Sequence, residues 1–218
     1  MSQEHLPDQK LLNEIVNGLL QVQPSISPKF FYDEIGSHLF EAITFLEEYY
    51  PTRTEKQIMM EYGEVIALAI GKCDVLLDLG AGNCEKGSAL FNSLTPKEYR
   101  ALDISKEFLE QAISGLQKEF PQIQMQAQTC DLQEEMIFPD LAGRKKTFFY
   151  PGSSIGNFDP DAALDLFKNI VKVCEGNGGL LIGVDLVKDH ATLSRAYNDG
   201  LGITAAFNKN ILLHLNRL

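Results

Sequence analysis

No stretch of this sequence is apolar over the roughly twenty residues needed to span a bilayer, so no membrane-spanning helix is expected. The polar start, Met1-Ser2-Gln3-Glu4-His5, lacks the pattern of a secretory leader, and the chain is read as cytoplasmic. Basic clusters are missing as well. With 19 Lys and Arg against 30 Asp and Glu, the net charge of -11 would repel a phosphate backbone, and nucleic acid is not expected as a partner. Cysteine is scarce: Cys73, Cys84, Cys130 and Cys174 form no C-x-x-C, and His5, His38, His190 and His214 are equally scattered. Neither a metal site nor a disulfide framework follows from that spacing. Internal repeats and low-complexity tracts are also wanting. What remains is an ordinary globular composition, 44% hydrophobic and 22% charged, in 218 residues, enough for one α/β domain and a smaller element.

The chain is organised around Leu76-Leu77-Asp78-Leu79-Gly80-Ala81-Gly82-Asn83-Cys84-Glu85-Lys86. The apolar run Val75 to Leu79 reads as a buried strand, delivered by a glycine turn into a helix beginning near Glu85. Gly80 and Gly82 permit special dihedrals and a close ligand approach. A dinucleotide fingerprint would place its third glycine where Glu85 stands, so the helix lacks the small residue that admits a pyrophosphate. A carboxylate at a helix N-terminus also repels phosphate, which favours a cofactor without phosphates, such as S-adenosylmethionine. Cys84, with no histidine near it in sequence, reads as a small buried thiol.

Upstream, Leu11, Leu12, Ile15, Val16, Leu19 and Leu20 recur at helical spacing until Pro24 and Pro28 break the pattern. Leu39, Phe40, Ile43 and Leu46 predict a second helix ended by Pro51. Thr52-Arg53-Thr54-Glu55 has the form of a capping box that opens a third, running toward Ile70. From Val75 strands and helices alternate: strands at 99–103, 123–129, 147–150 and 180–186, with a helix at 107–119. Five such strands imply an α/β fold with a doubly wound parallel sheet, and ligands bind at the C-terminal ends of its strands.

Asp103 ends the second strand, about twenty residues past the glycine turn, where a carboxylate can accept hydrogen bonds from ribose hydroxyls or cap the next helix. Asp131 follows the third strand and can accept from an adenine amino group or shape a turn. Together they outline an adenosine site, for S-adenosylmethionine or a nicotinamide cofactor. The loop after the fourth strand holds Gly152, Ser153, Ser154, Gly156 and Asn157, whose small residues admit a substrate and whose amide can orient it, unless Asn157 is simply a turn residue. Tyr32, Tyr49, Tyr50 and Tyr197 can line a pocket or pack in a core.

Several ordered stretches resemble the histidine-specific methyltransferase family: Phe31-Tyr32-Asp33-x-x-Gly36-Ser37-x-Leu39-Phe40, Glu48-Tyr49-Tyr50-Pro51-Thr52-Arg53-x-Glu55, Gly152-Ser153-Ser154-Ile155-Gly156-Asn157-Phe158, Gly183-Val184-Asp185-Leu186-Val187-Lys188-Asp189, and Ala196-Tyr197-Asn198-Asp199 followed by 203–210. The resemblance implies the class I, Rossmann-like methyltransferase type of sheet with an N-terminal helical segment. It also implies methylation of the α-amino group of histidine to hercynine, in ergothioneine biosynthesis, with S-adenosylmethionine as cofactor. By the same resemblance, Gly80, Gly82, Lys86 and Gly152 serve the cofactor, Asp103 its ribose and Asp131 its adenine. Tyr32 is the expected catalytic residue, and Tyr49, Asn157 and Tyr197 line the histidine pocket, the last two holding the carboxylate. The implied organisation is a helical segment at 1–70 contributing to the substrate domain, a cofactor domain at 71–187 and the start of a helical substrate-binding region at 188–218. Family members continue beyond Leu218, into residues that recognise the imidazole. The apolar face of the helix at 203–215 is expected to lie partly uncovered and its end to lack a cap, as in a truncated member. A relative acting on another amine, or an inactive cofactor-binding module, are the alternatives.

Overall fold

The computed structural model describes residues 9–218, so His5 and the polar start lie outside the described residues. Gln9–Leu19 (α1), a 3₁₀ turn at Pro28–Phe31, Glu34–Thr44 (α2) and Tyr50–Ile70 (α3) precede the first strand. Val75–Leu79 (β1), Glu85–Ser88 (α4), Phe91–Leu94 (α5), Glu98–Asp103 (β2), Lys106–Glu119 (α6), Gln124–Thr129 (β3), Lys146–Tyr150 (β4), Pro160–Cys174 (α7) and Gly178–Ile182 (β5) follow, then His190–Tyr197 (α8) and Ile203–Leu215 (α9). All strand pairs are parallel, in the order β3-β2-β1-β4-β5. The direction of winding reverses between β1 and β4, which opens a crevice at their C-terminal ends.

Strand β1 is buried along its whole length because both sheet faces are covered. Leu76 points into a cluster with Leu90, Phe91, Tyr99 and Leu109 on the α4–α6 face. Val75, Leu77 and Leu79 point into the opposite one, with Leu102, Phe148, Leu166 and Ile170 under α7. Two smaller clusters join the N-terminal helices to α9: Ile15, Phe30 and Ile211 in one, Ile43, Tyr49 and Phe207 in the other. Asp33 ties these parts together, capping α2 through Gly36 N–H at 2.7 Å and accepting from Asn210 of α9 at 2.6 Å.

Several local expectations yield to tertiary context. Helix α2 stops at Thr44, well before Pro51, which instead sits in the first turn of α3, where its missing N–H costs nothing. The anticipated capping box is not formed: α3 starts two residues earlier and Glu55 lies inside it, directed elsewhere. Strand β5 ends at Ile182 rather than at 186. At the next residue the backbone is crowded by the Glu55 carboxylate, which would lie 2.2 Å from a Cβ on Gly183. Helix α9 is closed by Asn216, whose N–H bonds back to Leu212 and His214 carbonyls. Its Phe207 and Ile211 are covered by the N-terminal helices, while Leu212 is exposed.

Candidate active site

The turn after β1 takes its shape from positive φ at Gly80 (67°), Gly82 (53°) and Cys84 (60°). A Cβ at Gly80 or Gly82 would meet nothing within 4 Å, so these glycines answer a dihedral requirement rather than crowding inside the protein. The close-packing glycine is Gly87, two residues beyond Glu85: a Cβ there would lie 2.3 Å from Asp78 Oδ2 and 2.8 Å from the Tyr99 hydroxyl. Helix α4 is a single turn, too short for a large macrodipole, and Glu85 turns outward to Lys56 of α3 at 2.7 Å. Cys84 is fully buried, and burial together with Asp78 pushes its thiol up to about 12, which leaves it inert.

A cleft of about 540 Å³ opens above the strand ends. Gly80, Gly82, Lys86, Asp103, Asp131 and Gly152 all border it, as do Tyr32, Tyr49 and Asn157. Asp103 is fixed by two backbone donors, Gly82 N–H at 3.0 Å on one oxygen and Ser105 N–H at 3.2 Å on the other. It therefore cross-links the glycine turn to the end of β2, although burial holds its carboxyl above its ordinary value against the backbone donors around it. Asp131 accepts Gln133 N–H at 3.0 Å, the turn geometry anticipated as its alternative role, and also borders the cleft.

Sequence reasoning missed Glu55. From α3 its Oε1 accepts Gly152 N–H at 2.7 Å, and its Oε2 pairs with Lys86 at 2.7 Å. One carboxylate thus holds the loop after β4 to the loop after β1. Its place in the Glu-Tyr-Tyr-Pro-Thr-Arg-x-Glu stretch is a signal, masked by the capping-box form of the same residues. Asp78, in mid-strand, is buried beneath the glycine turn: Oδ2 accepts from Tyr99 at 2.7 Å, and Oδ1 has no hydrogen-bond partner. Burial lifts its carboxyl to about 7.

The aromatic wall is assembled by edge contacts. Tyr32 meets Phe40 and Phe207 edge-on at 5.6 and 5.4 Å, and its carbonyl accepts from Ser105 Oγ at 2.8 Å. Burial, then Asp103, then Tyr197 push its hydroxyl to about 12. Tyr49 is buried, and burial likewise holds its hydroxyl well above the ordinary value. Tyr197 does not border the cleft directly. It is 54% exposed and meets the Tyr49 ring edge-on at 5.8 Å. Tyr50 donates to Asp185, which also pairs with Lys188, and so ties α3 to the segment after β5. Asn157 ends a 3₁₀ turn at Ser154–Asn157, with its side chain exposed. Among the described residues, no group of three or more His, Cys, Asp or Glu is placed to hold a metal, and no helix is long and apolar enough to cross a membrane.

The charge on this cleft discriminates between cationic and polyphosphate ligands. Each of its three lysines already has a carboxylate partner: Lys29 with Asp131, Lys56 with Glu85, Lys86 with Glu55. Asp103 and Asp78 add further carboxyl groups with no cation paired to them among the described contacts. Such a wall suits a cationic ligand and opposes a pyrophosphate. A parallel sheet of this order, with a glycine turn and strand-end carboxylates around the crevice, defines a class I, Rossmann-like methyltransferase domain. An O-methyltransferase family protein from Burkholderia thailandensis shares the fold, at 12% identity, covering 89% of this chain and 57% of that one with a TM-score of 0.51.

The chain belongs to the family described as histidine-specific, S-adenosylmethionine-dependent methyltransferases, whose profile matches residues 11–218. It is 37% identical over 211 residues to a histidine N-alpha-methyltransferase of Mycolicibacterium smegmatis, covering 95% of this chain and 65% of that relative. It is 34% identical over 193 residues to ergothioneine biosynthesis protein 1 of Neurospora crassa, covering 86% of this chain and 22% of that relative. The chain therefore spans just under two thirds of the first relative's own length and less than a quarter of the second's.

Proposed function

We propose that the cleft binds S-adenosylmethionine and that the chain transfers methyl groups to the α-amino nitrogen of histidine, as a member of the ergothioneine pathway in the cytoplasm. The observation that carries this reading is the acidic, phosphate-averse cleft in which every lysine is already paired. S-adenosylmethionine has a sulfonium and an ammonium against one carboxylate, so it enters such a site with a favourable net charge. Asp103, locked by two amides, is oriented to accept from the ribose hydroxyls, and Asp131 from the adenine amino group. The turn at Gly80 and Gly82, Lys86 and Gly152 are suited to the methionyl end. When bound, the cofactor supplies an activated methyl group on sulfur.

The remaining work is positioning. Asn157 offers an amide to the substrate carboxylate, and Tyr197, at the rim beside Tyr49, can complete the carboxylate contact. Tyr32 keeps its proton at neutral pH, since its hydroxyl lies near 12, so it acts as a hydrogen-bonding group toward the amine and not as a phenolate base. The amine must shed its proton before binding, or to water or a tyrosine hydroxyl in the pocket. A strong general base is not required where alignment and exclusion of water supply much of the acceleration.

Calorimetric titration with S-adenosylmethionine and NAD, each with and without histidine, tests the reading, followed by mass spectrometry of the histidine. Binding of S-adenosylmethionine alone among the two cofactors, and methylated histidine as product, are expected. NAD binding, or an affinity for S-adenosylmethionine no better than millimolar, would overturn the assignment.

A further inference from the structure

Lys29 reaches the cleft from outside the sheet. It lies in the turn Pro28–Phe31, and its ammonium meets Asp131 Oδ2 at 2.7 Å and Glu14 Oε2 of α1 at 2.7 Å. Its side chain is only 17% exposed. A strap between the N-terminal helix and the sheet would account for the Glu14 contact. It would not account for the choice of Asp131, which together with Lys29 borders the cleft while Glu14 does not.

The two oxygens of Asp131 are held by different donors, Oδ2 by Lys29 and Oδ1 by Gln133 N–H at 3.0 Å. The direction of this carboxylate is therefore set from both sides, and its remaining lone pairs can only accept. Ile104, Cys130 and Leu132 border the cleft beside it and give apolar walls suited to a flat base. A purine with an exocyclic amino group presents a donor to this carboxylate. A 6-oxopurine presents an acceptor, and two acceptors facing each other in a desolvated slot repel.

We propose that Lys29, acting through Asp131, is a positioning residue that makes the cleft selective for a 6-aminopurine over a 6-oxopurine cofactor. This rests on the adenosine reading of the cleft. Lys29 touches no reacting atom, and its effect is expected in base selection rather than in the chemistry.

The test compares dissociation constants of S-adenosylhomocysteine and S-inosylhomocysteine for the unmodified chain, Lys29→Met and Lys29→Arg, with thermal melts of each. The unmodified chain should prefer the amino ligand by at least about tenfold, the scale of one hydrogen bond to a charged group. Lys29→Met should cut that preference to within about threefold, mostly by weakening the amino ligand, and Lys29→Arg should retain most of it. Equal weakening of both ligands by Lys29→Met would assign Lys29 a purely structural role and overturn the proposal, as would an unmodified chain that binds the two equally. If Lys29→Met does not fold, Glu14→Gln, which loosens Lys29 from outside the cleft, should lower the preference partway, and an unaltered ratio there counts against the proposal. An unmodified chain that binds neither ligand would instead bring down the adenosine reading itself, a different failure.

Discussion

The two halves of the cleft are held by different forces. On the side we assign to the cofactor, Asp103 is fixed by two backbone amides at the end of β2, a strand buried up to its last residue, and Lys86 and Gly152 are joined through one glutamate. On the side we assign to the substrate, Tyr32 and Tyr49 meet their neighbours ring edge to ring edge, Asn157 is exposed, and Tyr197 stands at the rim. Directional bonds inside a low-dielectric sheet preorganise a site more firmly than aromatic contacts between helices, each worth about 0.5–1.5 kcal/mol beyond the area they bury. The cofactor half should thus be rigid without ligand, and the substrate half adjustable.

Glu55 is where that contrast would break first, because the loop after β4 that it ties to the loop after β1 also carries Asn157. Glu55→Ala leaves Gly152 N–H without its acceptor and Lys86 without its partner, and should cost roughly 2–3 kcal/mol of stability once the partial exposure of Lys86 is allowed for. Denaturant unfolding measures this, and S-adenosylhomocysteine and histidine affinities should both fall. A loss confined to the cofactor would show that the loops are independent. Next in size, Asp103→Ala should weaken S-adenosylhomocysteine by about 1.5–3 kcal/mol by calorimetry, and an unaltered affinity would remove Asp103 from the site.

Asp78 sharpens the rigid half through pH. Its folded-state value, near 7, is raised by burial above that of an unfolded aspartate. Between pH 4 and 7 the folded form therefore holds a proton that the unfolded form has lost, and stability declines as pH rises through that window. Asp78→Asn should flatten this part of the profile and raise stability at pH 8 by roughly 1–2 kcal/mol, measured by urea unfolding at several pH values. A steeper profile in the variant would contradict the assignment. The smallest effect is expected at the rim: Tyr197→Phe should weaken histidine by about 0.5–1.5 kcal/mol and leave S-adenosylhomocysteine within error in the same titrations. Equal losses for both ligands would place Tyr197 in the fold.

Much of the framework around the half proposed for the cofactor is legible without coordinates. The run from Val75, the two glycines of the turn and the aspartates after the second and third strands are local features, each readable from its neighbours in sequence. The misread positions share one trait, a dependence on distant partners. Glu55 looked like a helix cap because Thr52 precedes it by three residues, yet its acceptor role is to Gly152, 97 residues away. Lys29 carries no local signal, since its partner Asp131 lies 102 residues on.

The sequence by itself determined the alternation of strands and helices, the glycine turn and the strand-end carboxylates, since backbone dihedral preference and side-chain periodicity act over a few residues. The tertiary structure alone decided that Glu55 serves two loops instead of capping α3, that Gly87 takes the close-packing role, that α9 hides Phe207 and Ile211 against the N-terminal helices, and that Tyr197 stays at the rim. Each of these turns on which surfaces meet when the sheet is covered on both faces. A buried carboxylate or amide takes the partner that spares it desolvation, wherever along the chain that partner comes from.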